Sequence, residues 1–145
     1  MIFRLRLCRS LLLLALPVLP LHAATDGEVA ARREAESLAG AFTNDGFKLR
    51  DGCWLGQLEP NKSKVIQVSL YAGNQYWFSL GATAPAKKLS VSIHDETGKA
   101  VAVEPFADEE KVAAGFSPQV SGPYYIRIAS HAGAAAHFCL LYSYK

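Results

Sequence analysis

The chain has 145 residues, half of them hydrophobic, with fifteen Lys+Arg against thirteen Asp+Glu and a formal net charge of +2. That length suits one domain able to bury a core and excludes a large multidomain assembly. The near balance of charge, with no basic stripe interleaved with aromatics, excludes the electrostatic footprint of a nucleic-acid binder.

The first residues read as a secretory signal peptide over 1–24. Arg4, Arg6 and Arg9 form a basic start, LLLLALPVL (11–19) an apolar run, and PLHAAT the small residues of a cleavage site at Ala23 or Ala24. The run is too short to span a bilayer, and Pro17 and Pro20 interrupt its end, so no stable membrane insertion is expected once the signal is removed. Cys8 precedes the run, which misplaces it for lipid attachment at the cleavage site. Loss of the three arginines leaves twelve basic against thirteen acidic residues, a net charge of −1. The expected location is periplasmic or secreted. In such an oxidising compartment the remaining pair, Cys53 and Cys139, reads as a disulfide, closing a loop of about 85 residues worth roughly 4.5 kcal/mol in the chain-entropy model.

Residues 25–46 form the next unit, an expected helix. Thr25 and Glu28 have capping-box spacing. Ala31, Ala35, Leu38 and Phe42 recur at helical intervals, and Asn44 to Gly46 carry stop chemistry. The apolar face is narrow and alanine-rich, so weak docking is expected.

From Phe47 to Lys145 the period becomes two. CWLGQLE, KVIQVSLY, QYWFSLG and KLSVSIHD read as strands, then KAVAVE, a less certain EKVAAGF, YYIRIAS and HFCLLYSY. Turn chemistry separates them: AGN, DETGK with Gly98, and SPQVSGP with Pro118, Gly122 and Pro123. Short strands with one apolar face each imply two antiparallel sheets face to face. Tyr76, Phe78 and Leu80 would face the core, and Tyr124, Ile126 and Ile128 likewise.

Four phrases in this order resemble the bacterial pre-peptidase C-terminal domain over about residues 50 to 145: VSLYAGNQYWFSL, LSVSIHDETGKAV, FSPQVSGPYYIRI and FCLLYSY. The matching positions are Leu70, Ala72 and Gly73; Tyr76 and Phe78; Asp95 and Gly98; and Pro118, Ser121, Gly122, Tyr125 and Arg127. The resemblance implies an all-β, antiparallel, jelly-roll-like β-sandwich, here of about seven to eight strands with one N-terminal α-helix. It also implies a binding or accessory module without catalysis. The chain carries no peptidase domain beside this module, so a role toward a covalently joined peptidase is not expected. A dense Asp/Asn cluster is missing, which argues against a calcium site of the kind some relatives have.

The chemistry-bearing residues point the same way. Asp95, Glu96 and Thr97 sit in one turn with Gly98, too few oxygen ligands for calcium unless another loop contributes. Asp108 to Glu110 read as a solvated acidic patch. His94, His131 and His137 lack metal-ligand spacing, and neither an H-E-x-x-H nor a G-x-S-x-G motif is present. No catalytic residue, cofactor or metal is assigned, and the protein is read as no enzyme. Trp77 is the exception to the alternation. With Tyr76 and Phe78 turned inward it lies on the opposite face, which also carries Tyr71, Tyr125, Cys139 and Leu141 on the other strands. Either the helix, through Leu38 and Phe42, covers that face beside the disulfide, or the face is an aromatic platform for a sugar or peptide. Covering is the favoured reading, and Tyr71, Trp77 and Tyr125 are the candidate binding residues. The expected function is non-catalytic binding of a protein or glycan of the cell envelope. The alternatives are a small envelope hydrolase, with His94, His131 or His137 beside a serine or carboxylate in a deep pocket, and an assembly component that works by strand addition.

Overall fold

The computed structural model describes residues 23–84, 86–108 and 111–145. Most of the segment expected to be a signal peptide therefore lies outside the described residues, as do Glu109 and Glu110 of the acidic run. Helix α1 spans Asp26–Thr43. Nine strands follow: β1 (Lys48–Leu49), β2 (Trp54–Leu58), β3 (Ser63–Leu70), β4 (Tyr76–Ala82), β5 (Ala86–His94), β6 (Glu104–Asp108), β7 (Lys111–Phe116), β8 (Gly122–Gly133) and β9 (Ala136–Tyr144). They make an antiparallel β-sandwich. The larger sheet runs β1-β9-β4-β7-β6, with β2 also paired to β9, and the smaller runs β3-β8-β5.

Alternation explains the layers. Along β4, Tyr76, Phe78 and Leu80 enter the core between the sheets, where they meet Phe138 and Leu140 of β9, Ile126 and Ile128 of β8, and Ile93 of β5. The intervening Trp77, Ser79 and Gly81 point the other way, level with Ser143, Leu141 and Cys139 on β9. Helix α1 lies on that outer face. Its capping box is formed, with the Glu28 N–H donating to Thr25 Oγ1 at 3.3 Å and the Thr25 N–H to Glu28 Oε2 at 2.9 Å.

The alanine-rich face docks by close approach. Ala31, Ala35 and Ala39 are buried against Cys139 and Leu141. Gly81 makes room for the helix backbone: a methyl group there would fall on the Ala35 nitrogen and 2.6 Å from the Ala31 carbonyl oxygen. At the far end of the helix Leu38 and Phe42 close with Phe47, Ala113 and Trp77 into a second apolar cluster.

Two sequence expectations are corrected. The strand expected over KAVAVE lies further on, at Glu104–Asp108. Residues 99–103 instead cross from the smaller sheet to the larger, tied to β5 by a single bridge between His94 and Ala100. Val101 and Val103 pack against the core during the crossing, which imitates strand alternation. The disulfide expected between Cys53 and Cys139 is absent, and both residues are free thiols. Pairing of Leu55 with Cys139 brings Cys53 close by. The two side chains lie near each other without a covalent bond between them. The strand register needs only their proximity.

Candidate functional site

The three candidate binding residues are placed on three different surfaces. Trp77 is stacked on Phe42, ring centroids 4.2 Å apart and 8° from parallel, beneath the end of α1. The far side of its ring system lies over Gly115, where a methyl group would come within 2.9 Å. Tyr125 sits on the outer face of the smaller sheet, between Gln67 of β3 and His94 of β5. Tyr71 follows β3 in a turn and is 65% exposed. All three have the parity of outward residues, but the outer faces of two packed sheets look in opposite directions. A shared platform is therefore not assembled.

The outer face of the smaller sheet carries a polar set. Arg127 stands between Val65 and Ser92 in the same register. His94 Nδ1 is 3.1 Å from the Gly98 carbonyl oxygen, which can only accept, so Nδ1 carries the proton. In the neutral ring Nε2 then accepts from the Ser92 hydroxyl at 3.0 Å. A second pair joins Ser90 Oγ and His131 Nε2 at 2.8 Å. His94 and Arg127, with Val65, Thr97 and Tyr125, line a shallow concavity of about 430 Å³. The neighbouring turn is held by Asp95, whose Oδ1 accepts from the Thr97 hydroxyl at 2.7 Å and from the Thr97 and Lys99 N–H groups. Those bonds, the Thr97 hydroxyl above all, hold the Asp95 carboxyl below its ordinary range.

The richest surface is an aromatic corner where the larger sheet extends beyond the smaller. Arg50 and β2 enter beside β9, and Arg50 is fixed by its N–H donating to the Tyr142 carbonyl at 3.1 Å. Trp54 stacks on Tyr142, centroids 6.2 Å apart, and Tyr142 meets Tyr76 edge-on at 5.8 Å. The Arg50 guanidinium lies over both rings, 5.5 Å from the Trp54 centroid and 5.3 Å from that of Tyr142. Cation–π contacts of this kind hold a charge above an aromatic face without neutralising it. Arg50 has no ion pair among the described residues. Trp54 and Tyr142 are half-buried, Tyr144 is 38% exposed, and Tyr71 borders the group.

Hydrogen bonds lock the corner. The Tyr76 hydroxyl oxygen accepts from the Tyr71 N–H at 3.0 Å and from Asn74 Nδ2 at 3.1 Å. Burial pushes the Tyr142 phenol above its ordinary value, opposed by Arg50 and reinforced by Tyr76, Tyr144 and Tyr71. Tyr142 thus remains a neutral hydroxyl, able to donate.

On the other side of β4, at the same end of the sandwich, lies a cleft of about 550 Å³ lined by Val101, Phe116, Val120 and Tyr124 together with the Asp95 turn. The Tyr124 hydroxyl donates to the Val120 carbonyl at 2.9 Å, which shapes its wall.

Of the corner residues, sequence reasoning had singled out Tyr71 alone. Tyr142 and Tyr144 share the parity of Phe138 and Leu140, so they read as core. Nothing in the local pattern marked Arg50 or Trp54 as surface groups. The described residues contain no group of three or more His, Cys, Asp and Glu placed to hold a metal ion. Among them no helix is long and apolar enough to cross a membrane. Fold and site together define an antiparallel β-sandwich with one covering helix and an aromatic corner. No model of a known protein family matches the chain, and no curated protein matches it.

Proposed function

We propose that the protein is an exported, non-catalytic binding module for a protein or glycan of the cell envelope. The observation that carries this reading is the Arg50–Trp54–Tyr142 stack, with Tyr71 and Tyr144 exposed beside it. Trp, Tyr and Arg dominate the energetic centres of binding surfaces, because they offer large rigid contact areas with a polar handle. Trp54 and Tyr142 stand on paired strands and the Arg50 backbone is bonded to the Tyr142 carbonyl, so little conformational freedom is left for them to lose on binding. The basic start, apolar run and small residues of the first 24 positions support export. The resemblance to the pre-peptidase C-terminal domain supports an accessory role. Two glycines in its phrases, Gly73 and Gly98, adopt positive φ of 90° and 81°, as the tight turns of that pattern need.

A hydrolase is the second reading, favoured by the oriented Ser92–His94 pair. The pair lies on an open sheet face and not in the deep pocket that would exclude water from a reaction.

The test compares wild type with Arg50→Ala and Tyr144→Ser for retention on envelope proteins and on insoluble envelope glycans. Loss of an interfacial Arg or Tyr contact costs about 1–2 kcal/mol, so binding should weaken roughly five- to thirtyfold. Equal retention of all three proteins would remove the corner as the binding surface. Cleavage of an activated ester that disappears in Ser92→Ala would favour the hydrolase.

A further inference from the structure

The smaller sheet has one open edge. Strand β3 pairs only with β8, and no other described strand meets its second side. Alternate residues of such a strand direct their N–H and C=O groups away from the sheet. The opposite edge is closed in part by the crossover: the Val101 N–H donates to the Ile93 carbonyl and the Asp95 N–H to that of Lys99. Along β3 the one charged residue is Lys64, and Val65 is 59% exposed.

Beneath the open edge lies the aromatic corner. Strand β5 packs across from β7, and a four-residue link joins β2 to β3, so β3 stands over the β2–β9 side of the larger sheet. Ile66, Trp54 and Tyr142 are each only partly buried against the main core. The smaller sheet is one strand too narrow to cover them.

We propose that an extended segment of a partner protein adds to the free edge of β3 as a fourth strand and lays its inward side chains on Trp54 and Tyr142. This deepens the binding reading and rests on it. Main-chain pairing supplies affinity, and the aromatic floor selects large apolar residues at alternate positions. Charge selects the flanks. Lys64 stands near the start of β3, within electrostatic reach of Glu59, which is itself paired with Lys62, and Arg50 near the far end; neither Lys64 nor Arg50 is in an ion pair among the described residues. The fitting segment is apolar at every second residue and acidic at its ends. A second copy of β3 would bring its own Lys64 to this basic margin, and a glycan has no peptide groups to pair with the edge.

The experiment titrates the processed protein with capped octapeptides of alternating valine and threonine. One is flanked by glutamates, one by lysines, and one carries a central proline. Hydrogen exchange of the 64–70 amides reports pairing, and the fluorescence difference between wild type and Trp54→Phe reports the floor. The glutamate-flanked peptide should slow exchange along β3, shift Trp54 emission to the blue, and bind at least tenfold more tightly than the lysine-flanked one. The proline peptide should do neither. Arg50→Glu should abolish the flank preference, and Lys64→Glu gives the same readout should that variant not fold. Unchanged β3 exchange with every peptide overturns the proposal. So does protection of β3 that grows with protein concentration alone, which would make a second copy the occupant. An oligosaccharide that shifts Trp54 while no peptide does overturns strand addition and leaves the binding reading standing. If neither peptide nor oligosaccharide reaches Trp54, both fail.

Discussion

Gly81 shows how one missing side chain positions a whole layer. Its neighbours across the interface are the backbone atoms of Ala31 and Ala35, which have no rotamer to yield. Gly81→Val should therefore behave as overpacking against a rigid wall and destabilise by about 2–3 kcal/mol, read from the shift of a denaturant midpoint. An unchanged midpoint would mean that the helix does not rest on this strand in solution. Gly115 faces the Trp77 ring instead, which has more freedom to shift, so alanine there should cost less. At this scale the sequence was partly legible. Trp77 stood out because an aromatic broke the alternation. Gly81 could not stand out, because the demand for a bare α-carbon comes from a helix some fifty positions away in the chain. Cys53 and Cys139 were legible as neighbours but not as free thiols, since adjacency follows from strand register and covalent linkage does not.

Helix α1 was the most legible element. Both reciprocal bonds of the Thr25–Glu28 capping box form, and the alanine, leucine and phenylalanine spacing names the buried face. Its binding partner was also foreseeable, because Trp77 needed a cover. Phe42 joins the two, packing edge-on to Phe47 and Phe106 and face-on to Trp77. Phe42→Ala should cost about 3 kcal/mol, as for other buried aromatic truncations, and should move Trp77 emission to the red. Lost stability without a spectral change would show that Phe42 is not the lid over Trp77. The strand near residue 104 was misplaced for a physical reason. A segment that crosses between two layers buries side chains on both, and Val101 and Val103 then mimic a sheet face.

For the whole molecule, period-two patterning showed which residues point inward but not how many strands stand on each side. That number depends on pairings such as Ser63 with Ala129 and Trp54 with Leu140, which no local window contains. The aromatic corner exists because the two sheets differ in width, so it stayed hidden. Alkaline pH tests the assembled core. Burial, reinforced by Cys53, pushes the Cys139 thiol above its ordinary range, and burial does the same to the Tyr142 phenol. In the unfolded chain the thiol ionises near about 8.5 and the phenol near about 10. The folded state then holds more protons than the unfolded one, so stability falls as pH rises. Their contribution is complete below about pH 8.5 and is lost as pH climbs toward the raised folded values. Denaturant midpoints should fall steadily above about pH 9, with a shallower slope in Cys139→Ala. A flat profile to pH 11, about a unit above the ordinary tyrosine value, would show that neither group is held in this way.

Strand β9 has β1 and β2 along one flank and β4 along the other, and it comes last among the nine. No part of the larger sheet except the β4–β7–β6 ribbon can zip up before it arrives. Such distant pairings make folding slow, because loop-closure entropy must be met before any contact rewards it. A chain of this design stays open and threadable until residues 136–144 are available to pair, and then closes around that strand.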